Sequence, residues 1–350
     1  MNAQTLKAYV RDACGMDLVG IADVQWLADE PEGHRPEDIL PGARAVVVFG
    51  RRMPEGGVQA AFRAMEDGNH AARTSYNLYC ADLAQSFSLF FGTYDLAQHI
   101  ERATGHVAAP LPCASMQAGV PSSVPVPAFA APHKVGLPFD IEKAAFAAGL
   151  GEYGWSGRFL TPEFGARVLF GAVLTTLPLD CDAPMPGRGL CGGADCLACV
   201  AHCPTHAIAD PSEGRVRCIG IGSGGGGDKG NGAVGSDASG GAGSRLSCTV
   251  AAFSLNRCAV AACGLRRQYG GREDYVDSDD PTDAALAAAF AGMPINHFEG
   301  LDHYPKWRCD RCLVYCRAGS FQERFVDTGY SKDPTDFAAE AAGSGQQVRT

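Results

Sequence analysis

Apolar residues along this chain recur with the periods of both helices and strands. Leu6, Tyr9, Val10 and Ala13 follow helical spacing, which predicts an amphipathic helix over residues 3–14. Three later stretches have the apolar runs of strands, at residues 17–22, 43–50 and 167–179. The run at 43–50 is apolar almost throughout, which is typical of a strand buried on both faces. The first part of the chain is therefore predicted to combine helices with a sheet.

Helical spacing returns in two further segments. Residues 74–102 predict a long helix whose inward side would carry Leu78, Leu83, Phe87, Phe90 and Phe91. Asp140 is predicted to be the N-cap of a second helix, which Gly149 would end. The apolar face of that helix would consist of Ile141, Ala144, Ala145 and Ala148. Between the two helices, the proline-rich stretch 110–132 predicts a surface loop or a lid.

Residues 220–243 differ from the rest of the chain because half of them are glycine. Such a composition cannot bury enough apolar surface to offset the entropy lost on ordering, so it predicts a flexible insertion. A phosphate-binding glycine loop would need fixed glycine positions between a strand and a helix, and this stretch lacks that pattern. The polar residues 331–350 predict a flexible tail.

The chain contains 15 cysteines, and their spacing points to metal ligation. A first short run holds Cys191, Cys196, Cys199 and Cys203. Its C-x2-C-x3-C-P part resembles the motif by which bacterial ferredoxins hold [4Fe-4S] clusters. A second run, more than a hundred residues later, holds Cys309, Cys312 and Cys316. Two such runs predict two [4Fe-4S] clusters and one-electron chemistry.

In the arrangement that the ferredoxin motif predicts, the ligands of the two clusters interleave. One cluster would be held by Cys191, Cys196, Cys199 and Cys316. The other would be held by Cys203, Cys309, Cys312 and one further cysteine. For that eighth position Cys248 is preferred over Cys218, and Cys258 and Cys263 are further candidates. Structural zinc is the main alternative for the whole set, but the Cys–Pro ending and the number of thiolates favour clusters.

Charge and composition narrow the range of partners. The formal net charge is −10 over 350 residues, which argues against nucleic acid because phosphate binding relies on clustered lysine and arginine. No run of eighteen apolar residues is present, so we expect no membrane span. The N-terminus lacks the pattern of a signal peptide, and ligating thiols must stay reduced. A cytoplasmic location is therefore expected.

A second signature precedes the cysteines. Residues 148–165, which we call the AGLG segment, read AGLGEYGWSGRFLTPEFG and lead through a β-prone run to the first cysteine run. This order resembles the epoxyqueuosine reductase and reductive dehalogenase superfamily, in which such a segment lines a corrinoid pocket ahead of two [4Fe-4S] clusters. The resemblance extends upstream to residues 34–48. It implies an α+β fold, with a nitroreductase-like cobalamin-binding domain followed by a bacterial ferredoxin-like domain.

The resemblance also implies domain limits and a site. The corrinoid-binding domain would cover residues 1–180, and the cluster domain 181–330. The residues implied to contact the corrinoid are Gly149, Gly151, Gly154, Ser156, Gly157, Thr161, Pro162, Glu163, Phe164 and Gly165. The glycines would let the backbone approach a flat macrocycle. The candidate proton donors are Tyr153, Asp140 and Glu152, with Arg158 as candidate anion stabiliser.

By the same resemblance, a ferredoxin or flavodoxin would reduce the clusters, which would pass electrons to cobalamin. The corrinoid would then cleave a carbon–oxygen or carbon–halogen bond of a small-molecule substrate. We expect no tRNA partner, because the chain is acidic and ends 34 residues after Cys316, where epoxyqueuosine reductases carry a helical extension that grips tRNA. Two alternatives stay open: an electron-transfer protein without a corrinoid, and a variant that holds a flavin.

Overall fold

A computed structural model describes residues 1–67, 75–76, 88–111, 140–185, 187, 189–222, 246–262, 278, 280–291 and 309–319. The first elements are α1 (Ala3–Asp12), β1 (Leu18–Asp23), α2 (Pro36–Ile39), β2 (Ala45–Arg52) and α3 (Glu55–Asp67). They are followed by α4 (Phe90–Thr104), β3 (Ala108–Leu111), α5 (Ile141–Ala147), β4 (Glu152–Tyr153), β5 (Phe159–Leu160) and β6 (Val168–Thr175). The later elements are α6 (Ala198–Ala201), β7 (Val216–Ile221), β8 (Leu246–Ala251), α7 (Leu255–Ala262), α8 (Asp283–Ala291) and α9 (Arg311–Val314). The protein thus mixes helices and strands, as the sequence pattern predicts.

A four-stranded antiparallel sheet, in the order β1-β2-β6-β3, forms the centre of the fold. The two central strands pair along their whole length, with Val47 opposite Val173. Every residue of β6 and the first six residues of β2 are buried. Their branched apolar side chains suit a pleated surface that is covered on both sides. The prediction of a strand buried on both faces is confirmed.

Helices cover the two faces of this sheet and form a separate apolar core on each. Val47 belongs to the same core as Leu6 of α1 and Ile100 of α4. Its neighbour Val46 belongs to the other core, together with Phe146 of α5. Successive strand residues point to opposite faces, so this alternation follows from the pleat.

The later segments of the chain join both cores. Leu313 and Val314 of α9 lie in the core that contains α1 and α4. Ile219 and Val250, from the hairpin formed by β7 and β8, lie in the core that contains α5. The segments that carry the cysteines are therefore anchored to both faces of the N-terminal sheet.

The predicted ends of α5 are confirmed. The Asp140 carboxylate accepts hydrogen bonds from the backbone N–H groups of Glu142 at 2.9 Å and Lys143 at 3.3 Å. Gly149 follows the helix with φ +68°, the left-handed conformation that ends helices. Pro110 lies in β3, an edge strand whose only described partner is β6, where a missing N–H is tolerated.

Two sequence expectations are wrong. Phe90 and Phe91 are 56% and 55% exposed, and the inward side of α4 is formed by Leu96, Ala97 and Ile100. Residues 88–89, directly before α4, have π-helical backbone, whose period differs from the 3.6 residues on which the expectation depends. The glycine-rich insertion also starts later than expected, because its first two residues belong to β7.

Several expectations fall outside the described residues. These are the inward positions Leu78, Leu83 and Phe87, most of the loop 110–132, the insertion beyond residue 222, the eighth-ligand candidate Cys263 and the tail 331–350. Within the described part of the chain, no helix is both long and apolar enough to cross a bilayer.

Candidate functional site

The two cysteine runs lie against each other. α6 belongs to the first run and α9 to the second, and these two short helices are in contact. The imidazole of His202, beside α6, stacks on the ring of Tyr315, beside α9. The contact brings thiols from both runs into one region.

Four thiols, three from the first run and one from the second, interact electrostatically with one another. Cys316 of the second run interacts with Cys191 and Cys196 of the first run. Cys199 interacts with all three of these cysteines. We call these residues the first thiol group: Cys191, Cys196, Cys199 and Cys316.

A second group adjoins the first. Cys309 interacts with Cys203 and Cys312, and Cys258 interacts with the same three cysteines. We call these residues the second thiol group: Cys203, Cys258, Cys309 and Cys312. Cys199 also interacts with Cys312, so the two groups are neighbours. The structure therefore brings the seven cysteines of the two runs into one region, and Cys199, which interacts most with Cys312, lies where the two groups meet.

The two preferred candidates for the eighth ligand, Cys218 and Cys248, lie on the hairpin formed by β7 and β8. Cys218 is exposed on β7. Cys248 lies on β8, where its electrostatic and hydrogen-bond neighbours are Tyr153, Glu152 and Cys218. The assignment of either cysteine as a cluster ligand stays a prediction.

Cys258, one of the further candidates for the eighth ligand, interacts with Cys309, Cys312 and Cys203. Backbone pairing fixes its position, because Ser254 N–H donates to Ala207 O at 2.7 Å and Ile208 forms a β-bridge with Phe253. This pairing sets the start of α7, and with it Cys258, next to the first cysteine run. The hairpin and the glycine-rich insertion separate Cys258 from Cys203 along the chain, so spacing alone does not reveal their proximity.

Burial raises the pKa of thiols in both groups. It raises the pKa of Cys309 to about 12, with Cys312 and Cys203 contributing. The pKa of Cys199 is raised as well, first by burial and then by its cysteine neighbours. Ionised thiols crowded in this way need a cationic centre, and metal-bound thiols are deprotonated. Two groups of four soft sulfur donors fit the ligand requirement of two [4Fe-4S] clusters.

The thiol groups differ from a single-ion site. Among the described residues, no three His, Cys, Asp or Glu side chains converge on a point where one ion would bind. A cubane has a separate iron for each thiolate, so its ligands surround a volume instead of a point. A zinc site needs four ligands around one ion, and the described cysteines do not form that arrangement as they stand.

Backbone amides donate to sulfur atoms in both groups. Cys191 Sγ accepts from Trp155 N–H at 3.3 Å and from Gly193 N–H at 3.4 Å. Cys203 Sγ accepts from Ala207 N–H at 3.2 Å. Such bonds stabilise negative charge on sulfur. Since Trp155 lies in the AGLG segment, that segment forms part of the wall of the first thiol group.

The loop of the first cysteine run carries backbone strain. Leu197, between Cys196 and Cys199, has φ +46°, and His206, shortly after Cys203, has φ +50°. Residues other than glycine seldom adopt this left-handed backbone conformation. Such strain concentrates in loops that hold ligands.

Arg158, the candidate anion stabiliser, lies against the second thiol group. Its Nε–H donates to Cys312 Sγ at 3.1 Å, and its Nη2 lies 3.4 Å from Asp310 Oδ1. The buried Asp310 also accepts a hydrogen bond from the Tyr76 hydroxyl at 3.0 Å. Burial lowers the pKa of the guanidinium, but the nearby Cys312 and Asp310 outweigh this effect and raise that pKa above its ordinary value. The partners of Arg158 are therefore a thiol and a carboxylate of the second cysteine run.

A second buried arginine holds the loop around Cys316. Arg167 is fully buried and donates from Nη1 to Ala318 O at 3.1 Å and from Nη2 to Val314 O at 3.3 Å. Its Nη2 also contacts Cys316 O. The sequence analysis did not single out this residue, although a charged side chain at the edge of an apolar run is a usable signal.

The glycines of the AGLG segment pack against the protein's own backbone. A Cβ on Gly151 would lie 1.9 Å from Leu160 O, and a Cβ on Gly149 would lie 2.3 Å from Ala183 O. A Cβ on Gly165 would lie 2.0 Å from the carbonyl oxygen of Ala318, two residues after the second cysteine run. Close internal packing is therefore a reason for these three glycines that differs from the approach of a macrocycle.

The other residues implied to contact a corrinoid divide by exposure. The buried ones are Gly154, Ser156, Gly157 and Thr161. Those that reach the surface in part or in full are Pro162, Glu163 and Phe164. A Cβ on Gly154 would lie 3.5 Å from Cys191 Sγ, so this part of the segment faces the first thiol group.

The three candidate proton donors have different surroundings. Tyr153 is buried between Phe146 and Phe159, its hydroxyl has no hydrogen-bond partner within the described residues, and burial raises its pKa well above the ordinary value. Glu152 accepts a hydrogen bond from the backbone N–H of Leu190 at 2.5 Å. Asp140 serves as the N-cap described above.

Comparison with known proteins supports the resemblance. No family model matches the chain. The epoxyqueuosine reductase of Synechococcus sp. (strain CC9605) is 46% identical over 72 residues, which are 20% of this chain and 21% of that protein. The enzyme from Bacillus cereus is 41% identical over 70 residues, which are 19% of this chain and 17% of that protein. The resemblance to the epoxyqueuosine reductases is confirmed. The chain spans about a fifth of the length of these curated relatives.

Solved structures give a weaker likeness. An epoxyqueuosine reductase crystallised with an epoxyqueuosine-modified tRNA stem loop shares 17% identity at a TM-score of 0.38, over 58% of this chain and 52% of that one. A reductive dehalogenase described in connection with B12-dependent dehalogenation shares 21% identity at a TM-score of 0.34, over 56% of this chain and 24% of that one.

The expectation that tRNA is not a partner is wrong. The curated relatives are epoxyqueuosine reductases, and one such enzyme has been crystallised with a tRNA stem loop. A negative net charge does not exclude RNA, because phosphate binding depends on local clusters of basic residues and not on the sum over the chain.

Proposed function

We propose that this chain is an iron–sulfur oxidoreductase that passes electrons through two [4Fe-4S] clusters to a corrinoid, for reductive cleavage of a carbon–oxygen bond. The observation that carries the proposal is the meeting of two distant cysteine runs in two adjoining groups of four thiols. Each cubane requires four thiolates, and these groups provide that number.

The proposed ligands follow the two thiol groups. The first cluster takes Cys191, Cys196, Cys199 and Cys316. The second cluster takes Cys203, Cys309, Cys312 and, in the eighth position, Cys258. The interaction of Cys199 with Cys312 supports electron transfer between neighbouring clusters. An external ferredoxin or flavodoxin is the proposed electron donor.

The corrinoid is supported by the resemblance of the AGLG segment and by the match to the epoxyqueuosine reductases. The internal packing of Gly149, Gly151 and Gly165 does not add to this support. When bound, the corrinoid would supply the reducing centre that acts on the substrate. We also propose Asp140 as the proton donor, with the proton on Oδ2, since Oδ1 accepts the N-cap hydrogen bonds, the side chain is half-buried and Tyr153 is enclosed in the core.

The proposed substrate class is an epoxide, and the first substrate to test is epoxyqueuosine in a tRNA stem loop, because the curated relatives are named for that reduction. The division into a nitroreductase-like domain over residues 1–180 and a ferredoxin-like domain over residues 181–330 is part of the same proposal, as is a cytoplasmic location.

Anaerobic reconstitution tests this function. The full chain is incubated with iron, sulfide and cobalamin, desalted, and analysed for iron, cobalt and visible absorbance. It is then assayed with a low-potential reductant and the modified stem loop. We expect about eight irons, about one cobalt per chain and loss of the epoxide. Clusters without retained cobalt would reject the corrinoid reductase in favour of an electron-transfer protein, and a flavin spectrum would favour the flavin variant. Zinc, or no metal, would reject all three.

A further inference from the structure

The sulfur atoms of the two thiol groups have different hydrogen-bond donors. Cys191 and Cys203 accept hydrogen bonds from backbone amides. Cys312 instead accepts one from the guanidinium of Arg158, at 3.1 Å. A donor that carries a positive charge forms a stronger bond than a neutral amide.

Neighbouring residues hold this guanidinium in place. The Arg158 side chain is 13% exposed, and its carboxylate partner Asp310 is 1% exposed. The Tyr76 hydroxyl donates to the second oxygen of Asp310. Removal of one partner from a buried ion pair is costly, so the Asp310 contact keeps Arg158 in place. Arg158 is therefore a fixed charge beside a sulfur and not a mobile surface side chain.

A fixed positive donor changes the energy of adding an electron to a cluster. Reduction makes the cluster and its thiolates more negative, and an N–H bond to sulfur stabilises the reduced form more than the oxidised form. Hydrogen bonds to the sulfurs and nearby charge are among the factors that set the potential of a cluster.

We propose that Arg158 raises the reduction potential of the cluster held by the second thiol group, through its bond to Cys312. Asp310 and Tyr76 are positioning residues that hold the guanidinium in this place. The proposal rests on the proposed function only in requiring the two clusters, and it is independent of the corrinoid and of the substrate.

The test is a potentiometric titration of the anaerobically reconstituted full chain, followed by electron paramagnetic resonance of the reduced clusters. The double variant Arg158→Gln, Asp310→Asn removes one charge of each sign, so the net charge stays the same while the charged N–H···S bond is lost. Arg158→Lys is the second variant. It keeps the charge but places it on a shorter, more mobile ammonium. The control is the double variant Arg257→Gln, Asp280→Asn, which also removes one charge of each sign, because Arg257 neighbours Cys258 but binds Asp280 and a carbonyl oxygen of His206.

We expect one midpoint potential to fall in the Arg158 double variant, with a smaller fall in Arg158→Lys, while the other midpoint potential stays at the wild-type value. An unchanged pair of potentials would overturn the proposal, and so would an equal fall in the control double variant, which would indicate that loss of any nearby ion pair has this effect. Loss of the second cluster in both Arg158 variants would assign Arg158 a structural role and would also overturn it. A wild-type chain without iron would reject the proposed function itself, whatever the Arg158 variants do.

Discussion

His202 and Tyr315 stack with their ring centroids 3.6 Å apart and their planes inclined by 11°. His202 directly precedes Cys203, and Tyr315 directly precedes Cys316. One aromatic contact therefore joins a cysteine of the second thiol group to a cysteine of the first. The two segments that it connects are more than a hundred residues apart in the sequence.

Truncation of Tyr315 is expected to loosen this junction. Tyr315→Ala removes the stacked ring and should lower the free energy of unfolding by about 1–3 kcal/mol. It should also reduce the iron that the chain retains after reconstitution. Tyr315→Phe keeps the ring and should stay close to wild type in both respects. Urea unfolding with iron analysis checks both variants, and equal iron in Tyr315→Ala and wild type would contradict the role of the stack.

A methyl group on Gly151 is expected to disrupt the AGLG segment. Gly151→Ala would set its Cβ 1.9 Å from Leu160 O, and rigid backbone cannot yield as a flexible side chain can. The loss should exceed about 3 kcal/mol or prevent folding. Gly56→Ala is the control, because Gly56 lies in α3 with open space at its Cβ and should gain about 0.5–1 kcal/mol. Thermal unfolding measures both variants. A Gly151→Ala protein that binds clusters and unfolds at the wild-type temperature would refute the packing explanation.

The thiol of Cys14 is expected to react slowly at neutral pH. Burial, with a contribution from Asp95, raises its pKa to about 11. Because the thiolate is the reactive form, alkylation should speed up about tenfold per pH unit until it levels off near pH 11. The folded pKa lies above the unfolded value of about 8.5. The stability associated with the neutral thiol is therefore complete below that pH and is lost as the pH rises towards 11.

Iodoacetamide labelling followed by peptide mapping measures this rate, with the exposed Cys218 as the internal reference. The stability of Cys14→Ala should depend less on pH between 8.5 and 11 than that of wild type. A rate for Cys14 that is flat across this range, or equal to that of Cys218 at pH 7, would be inconsistent with a half-buried neutral thiol.

Local patterns predicted much of the fold. Asp140 could be assigned as an N-cap because its role depends on the residues that follow it directly. The buried strand β2 could be recognised because its apolar run is itself the cause of its burial on both faces. The outward position of Phe90 could not be derived, because the π-helical backbone at residues 88–89 has a period that the apolar spacing does not reveal.

The candidate site was predictable only where its geometry is local. The spacing within each cysteine run indicates which thiols share a loop. The place of Cys258 depends instead on the backbone pairing of Ser254 with Ala207 across a long insertion, which no spacing rule contains. The partners of Arg158 were missed for the same reason, since Cys312 and Asp310 lie far away in the sequence.

The iron content of single-cysteine variants tests the central claim most directly. We compare the reconstituted wild-type chain with Cys258→Ala and, as a matched control, Cys218→Ala. The account predicts about eight irons in wild type and in Cys218→Ala, and a loss of about one to four irons in Cys258→Ala. Wild-type iron in Cys258→Ala would contradict the assignment of the second thiol group, and iron loss in Cys218→Ala would point to Cys218 in its place. A wild-type chain that binds no iron would contradict the account as a whole.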